Sequence, residues 1–243
     1  MATDKVNSNR TIAIVTGVVF IIATVSALLA AALTPRLNGT DYLTRVSANV
    51  TQATAGALLY LIAAFTSVGI AILLYPVLKR WSTALALGSV VFRTIEAVMY
   101  ITAIVSLLSL LSLGQQFTTA GTADSASFRA VGGSLLSVRD HATLLAVFAF
   151  SLGAFMYYYV FFRSRLIPRW LSGAGVVAVI LMFAGCLLAL FSNSPVTGYT
   201  LLILPIAVQE MVLAIWLIAK GFTPSVIQSM TVSKDSATKN LPE

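Results

Sequence analysis

The chain has 243 residues, 58% of them hydrophobic and only 9% charged, with a net charge of +7, one cysteine and one histidine. Soluble domains carry about 25% charged residues, so a water-soluble globule is excluded, and Cys186 and His141 cannot by themselves build a disulfide or metal framework. The basic residues sit in short segments between apolar runs, which is a topology signal; no nucleic-acid partner, metal or cofactor is expected.

About 20 apolar residues cross roughly 30 Å of hydrocarbon. On that measure six spans are predicted, at residues 11–33, 53–75, 82–113, 135–162, 171–191 and 199–219. The fold class is therefore all-α, a polytopic helical membrane protein, with a segment before the first span (1–10), a transmembrane domain (11–220) and a polar tail (221–243) expected to be disordered. The first run is too long for a signal-peptide core and has no convincing cleavage context, so it reads as a retained span, closed by Thr34-Pro35. A polar loop follows over 36–52, with Asn38-Gly39 as a turn signal. The second span ends at Pro76 and the basic pair Lys79-Arg80, because proline does not continue a helix easily. The third, 82–113, is longer than a bilayer needs and should tilt or protrude.

Residues 114–133, with Asp124 and Arg129, read as a polar loop with a short helix on the outer surface. The fourth span carries Arg139-Asp140-His141 in its first turns and ends in Tyr157-Tyr158-Tyr159 and Phe161-Phe162 beside Arg163 and Arg165. Aromatic rings and arginines at that depth are expected to anchor the helix at the interface, as are Trp81 and Trp170. Gly173, Gly175 and Gly185 in the fifth span suit close helix approach. The sixth holds Gln209-Glu210 near its centre.

Lys5, Arg10, Lys79, Arg80, Arg163, Arg165, Arg169, Lys220, Lys234 and Lys239 all fall on one side of this topology, against Arg36, Arg45, Arg129 and Arg139 on the other. The positive-inside rule then places both termini of a multi-pass plasma-membrane protein in the cytoplasm. Residues 69–90 and 153–176 echo one another, each running from a glycine through a Tyr-rich span end to Arg-Trp, which suggests a duplicated hairpin in parallel orientation; chance likeness between apolar helices is the alternative.

The organising stretch is 81–113, apolar all round except at Arg93 and Glu96. Ionisable groups at bilayer depth are expensive, face the protein interior and mark functional sites. Arg93 and Glu96 lie three apart and share a helix face; Tyr100, one turn further on, is placed to donate to Glu96. Gln209 and Glu210 would meet them from the sixth span, and Arg139 and Asp140 stand nearer the outer surface. Three acids face two arginines in this set, so one carboxyl is expected to hold a proton, as a proton-coupled site requires. Adjacent helix residues diverge in direction, so Asp140 and His141 cannot pair as a catalytic triad with Ser134 or Ser137, and His141 is a weaker site candidate. There is no phosphate-cradling glycine loop with a lysine, no mid-span lysine for a Schiff base, and no aspartate-rich magnesium motif.

The pieces Tyr75-Pro76-Val77-Leu78-Lys79, Phe92-Arg93-Thr94-Ile95-Glu96, Val138-Arg139-Asp140, Leu166-Ile167-Pro168-Arg169-Trp170-Leu171-Ser172-Gly173 and Leu204-Pro205-Ile206-Ala207-Val208-Gln209-Glu210-Met211 together resemble the bacterial membrane family called domain of unknown function 4386. The likeness covers residues 9–222. It implies a compact helical membrane protein without an established activity, and its polar motif residues coincide with the set reached by counting. His141 departs from it, standing where a bulky aromatic is expected.

Three roles remain open from sequence. The first is a bundle whose Arg93, Glu96 and Glu210 line a polar cavity, open outward through Arg139 and Asp140, that binds a small-molecule or lipid-like ligand for proton-linked transport. The second is a structural or regulatory subunit in which the same charges only pack helices. The third is an intramembrane enzyme acting on lipid. The lipid bilayer is the one partner common to all three.

Overall fold

The computed structural model describes residues 2–37, 39–120 and 125–226, with side chains described from Asn9 onward. Among them the elements are all helical: α1 (Ala2–Leu33), α2 (Tyr42–Ala48), α3 (Val50–Leu78), α4 (Thr83–Ala120), α5 (Ser125–Ser164), α6 (Arg169–Phe191) and α7 (Thr200–Ala219), with a 3-10 turn (Val196–Tyr199) leading into α7. All but α2 are long and apolar enough to cross a membrane. This is the architecture of a multi-pass membrane protein.

Each long helix packs on the next in sequence, and α7 returns to pack on α1, so the six close into a ring. The side chains of α5 fill its middle: 67% of its apolar stretch is buried, against 33–44% for the other five. Phe150, Ala154, Tyr157, Tyr158 and Phe161 of α5 belong to the main core with Phe20, Leu74, Val179 and Leu213. Glycines allow the close crossings. A Cβ on Gly17 would stand 2.7 Å from the Ala214 carbonyl oxygen, and one on Gly88 would stand 2.6 Å from Met156 Sδ.

The two ends of the bundle differ. At the terminal end Arg10 of α1 donates to the carbonyls of Leu217, Ile218 and Ala219 at 2.7–3.3 Å, and Arg80 donates to Asn9 Oδ1 at 3.1 Å. The chain turns at Arg165, whose φ is 60°, and buries Leu166 and Ile167. The segment after α7 is not loose from residue 221 as expected: Thr223 N–H and Oγ1 both donate to the Leu166 carbonyl, and Phe222 lies against Phe161. Residues 227–243 of the expected tail, Lys234 and Lys239 included, lie outside the described residues, as do Asn38, Asp124 and the side chain of Lys5.

At the distal end the expected loop over 114–133 is corrected. Both helices run on into that region, α4 to Ala120 and α5 from Ser125. The physical reason is a second core: Leu107, Leu110, Leu111, Tyr42, Leu43 and Val46 cluster there with Phe117, Phe128, Leu135 and Leu136 packed on them. Phe117 and Phe128 meet edge to face at 5.9 Å, and Tyr42 OH donates to the Arg129 carbonyl at 3.0 Å. The expected loop over 36–52 likewise contains α2, and α3 starts at Val50. Pro76 does not end α3, which continues to Leu78. It falls in the final turn, where the Tyr75 carbonyl still accepts from Lys79 N–H at 2.9 Å.

Candidate functional site

Among the described residues, Arg93 is the largest side chain that is completely shut away, at 1% exposure. Its stem crosses α5 where there is no side chain to oppose it: a Cβ on Gly153 would come within 3.1 Å of Arg93 Cγ and 3.3 Å of Cδ. The guanidinium then lies over the Phe150 ring, 4.3 Å from its centroid, and between two carboxylates. Nη1 stands 3.0 Å from Glu96 Oε2 and Nη2 stands 3.9 Å from Glu210 Oε1. Neither Nη1 nor Nε has an aligned hydrogen-bond acceptor, so the Glu96 contact is an ion pair without a well-directed hydrogen bond.

The acids are fixed by hydroxyls from other helices. Ser67 of α3 donates to Glu96 Oε2 at 2.8 Å. Thr24 of α1 donates to Glu210 Oε2 at 3.1 Å, and Tyr157 of α5 donates to Oε1 at 3.5 Å. Beside Glu210, Gln209 accepts from Tyr158 OH and donates to the Leu171 carbonyl of α6 at 3.1 Å. Every long helix contributes at least one atom to this polar knot, halfway along α7. Glu96, Gln209 and Glu210 are all buried. Two carboxylates against one guanidinium leave the knot one negative charge in excess unless a proton is held, and desolvating an uncompensated charge is costly.

The candidate residues expected to share one site split in two. Arg93, Glu96, Gln209 and Glu210 converge; Arg139 and Asp140 stand apart from them, and Tyr100, one turn from Glu96, lines the cleft with that pair. Arg139 Nη1 pairs with Asp140 Oδ1 at 3.3 Å, with both side chains partly exposed. Arg139 is 14 residues along α5 from Gly153, about 20 Å at 1.5 Å per residue. These two line a narrow cleft of about 60 Å³ with Tyr60, Tyr100, Thr143 and Thr197. None of Arg93, Glu96 or Glu210 lines it, so the single open cavity expected from sequence is corrected to a sealed knot and a separate distal cleft. Tyr100 does not donate to Glu96. Its ring turns toward the cleft and stacks on Tyr60, centroids 6.2 Å apart.

His141 bonds within its own helix, Nδ1 lying 2.7 Å from the Ser137 carbonyl oxygen and 3.2 Å from Ser137 Oγ. Its other nitrogen has no carboxylate, so no triad forms there. His141 borders a wider, more open groove of about 290 Å³ with Ser137, Asp140, Asn193 and Pro195. Among the described residues no group of His, Cys, Asp and Glu could hold a metal ion.

Thr24, Ser67, Tyr157, Tyr158 and Gly153 belong to the knot although sequence reasoning does not single them out as site residues. Hydroxyls on apolar helices commonly bond their own backbone, so Thr24 and Ser67 give no signal. Tyr157 and Tyr158 are expected in an interfacial belt, but both are at 0% exposure; only Tyr159 faces outward, edge-on to Trp81. A helical wheel shows the difference: Tyr157 is four residues from Gly153 and Phe161, on the inward stripe, and Tyr159 lies off it. Gly175 makes room for Tyr158, whose ring lies where a Cβ would be.

The family described as a domain of unknown function (DUF4386) matches residues 15–221. No curated protein and no solved structure matches the chain.

Proposed function

This chain belongs to the DUF4386 family of unknown function, and from that premise we propose that it is a proton-holding membrane protein whose Glu96/Arg93/Glu210 knot changes charge as a small or amphipathic ligand engages the distal clefts. One observation carries this: two buried carboxylates share one guanidinium, so the knot is electrically balanced only with a proton aboard. The hydroxyls of Thr24, Ser67 and Tyr157 supply hydrogen bonds whether or not that proton is present, which suits a site that gains and loses it. The basic residues crowd the terminal end, so the positive-inside rule turns the clefts outward.

The test is to find a ligand by thermal shift against small amphipathic molecules, then to measure its binding or vesicle uptake across pH. Glu96→Gln and Glu210→Gln are each expected to flatten the pH dependence. If both leave it unchanged, proton linkage is wrong.

A second reading has its own support. The knot is sealed from both clefts, as a purely structural pin would be, and apolar replacement of buried ion sets is often neutral or stabilising by about 1–4 kcal/mol. An Arg93→Met, Glu96→Leu, Glu210→Leu triple variant that folds and keeps ligand-linked, pH-dependent behaviour would favour the pin.

A further inference from the structure

The knot is sealed, and the two distal cavities adjoin one another, the narrow one reaching Tyr100, one turn from Glu96. The wide groove and the narrow cleft have two lining residues in common, Asp140 and Pro195. Asp140 therefore stands where the wider, more open groove meets the narrow cleft. The inner end of the narrow cleft is formed by Tyr60 and Tyr100, stacked across the α3–α4 crossing. Tyr100 follows Glu96 by four residues on α4, on the same face and about 6 Å further along the axis. No hydrogen bond joins the two, and beyond Tyr100 the next ionisable group on that face is Glu96 itself.

We infer that Asp140 and Tyr100 form the proton entry route from the distal clefts to Glu96. This rests on the proton-holding reading of the knot. A space of about 60 Å³ is ample for water, since roughly 10–15 Å³ admits one molecule. A proton reaching the groove is taken up at the Asp140 carboxylate and passed to cleft water. That water gives its proton to the Tyr100 oxygen as the Tyr100 hydroxyl proton moves on to Glu96, so the phenol is neutral before and after and Glu96 gains one proton. The step requires the Tyr100 ring to swing from its stack on Tyr60 toward Glu96, which makes Tyr100 the gate as well as the relay.

Other charged and titratable groups bear on both ends of the route. Asp140 is paired by Arg139 on its own helix, faces Tyr60 of α3 and Tyr100 of α4 across the cleft, and has His141 on the groove side. Glu96 is faced by Arg93 of its own helix and Ser67 of α3, with Glu210 of α7 and Tyr157 of α5 beyond the guanidinium.

The experiment is infrared spectroscopy of the full chain in lipid vesicles at neutral pH, following the carboxylic-acid C=O band after transfer into D2O. The band is assigned by its loss in Glu96→Gln or Glu210→Gln. Its hydrogen–deuterium exchange is then timed in the unaltered protein, Tyr100→Phe and Asp140→Asn, with Tyr159→Phe on the outward face as control. Thermal unfolding verifies that each variant is folded, and the two substitutions are independent, so loss of one leaves the other. The route predicts exchange slowed by about tenfold or more in Tyr100→Phe and Asp140→Asn, the scale of a lost proton-transfer partner, with Tyr159→Phe unchanged. Exchange at the unaltered rate in both variants overturns the route while leaving a protonated knot in place. Absence of the band in the unaltered protein overturns the proton-holding reading itself, and the route with it.

Discussion

At the scale of single residues, Arg93 is the one cation of the buried knot. Arg93→Met would leave Glu96 and Glu210 buried with no cation between them, and breaking a buried pair by removing one partner typically costs about 3–5 kcal/mol. Thermal unfolding of the purified protein is expected to show a loss of that order, with much of it regained when both acids are also made neutral. Gly153 is the complementary case. A Cβ there presses on Cγ and Cδ of Arg93 and on Phe92 Cβ at 3.1–3.3 Å. Gly153→Val should therefore destabilise by about 1–3 kcal/mol through overpacking, and Gly153→Ala by less. If the two substitutions are equally mild, the Arg93 stem is not seated against α5 as described.

At the scale of elements, two helix ends are fixed by arginines in different ways. Arg10 supplies the C-terminus of α7 with three charged hydrogen bonds, where a cation also complements the helix dipole. Arg10→Ala is expected to lower stability by about 1–2 kcal/mol, with amide exchange accelerated in the last turn of α7 and not in α6. At the start of α2, Asp41 accepts twice from Arg45 at 2.8 Å. That hydrogen bonding holds the Asp41 carboxyl below its ordinary value. The contribution is present above the ordinary carboxylate range and is lost as pH falls through the lowered value. Acidification should loosen α2 in the native protein and not in Asp41→Asn, as read by amide exchange. The six apolar helices are legible in the sequence because each is a run of the right length, and their inner faces are not. Within the bilayer both faces of a helix are apolar, so polarity does not separate Tyr157 and Tyr158 from Tyr159. The helical wheel sorts them only once the inward stripe through Gly153 and Phe161 is known. The α4 and α5 extensions are hidden because Phe117 and Phe128 lie among polar residues, and only the partner helix makes them a core.

At the scale of the whole molecule, the ring closure decides which charges meet. Arg93 and Glu96 are legible as a pair from their spacing of three, and Glu210 is a natural partner because it lies at a matching depth. Arg139 and Asp140 join them only by counting residues, which gives depth coarsely and says nothing of what lies between. Tyr60 and Tyr100 lie in that interval. On the proposed positive-inside orientation, Thr197 in the turn before α7 would face outward. A Thr197→Cys protein made in a background lacking Cys186 should be labelled by a membrane-impermeant thiol reagent in intact cells, and a Lys220→Cys protein only after the cells are opened. The reverse pattern would turn the clefts toward the cytoplasm.

The closure of α7 onto α1 also joins the first long segment to be synthesised to the last. Arg93 and Glu96 leave the ribosome on the same helix and can enter the bilayer as a self-cancelling couple. Thr24 has by then been waiting since the first helix, with its eventual partner Glu210 not yet synthesised. An acid carried into lipid ahead of its guanidinium partner enters most cheaply as an uncharged carboxylic acid. On the proton-holding reading, the first proton of the knot would come in with the final segment, before the bundle shuts and exchange is left to the clefts.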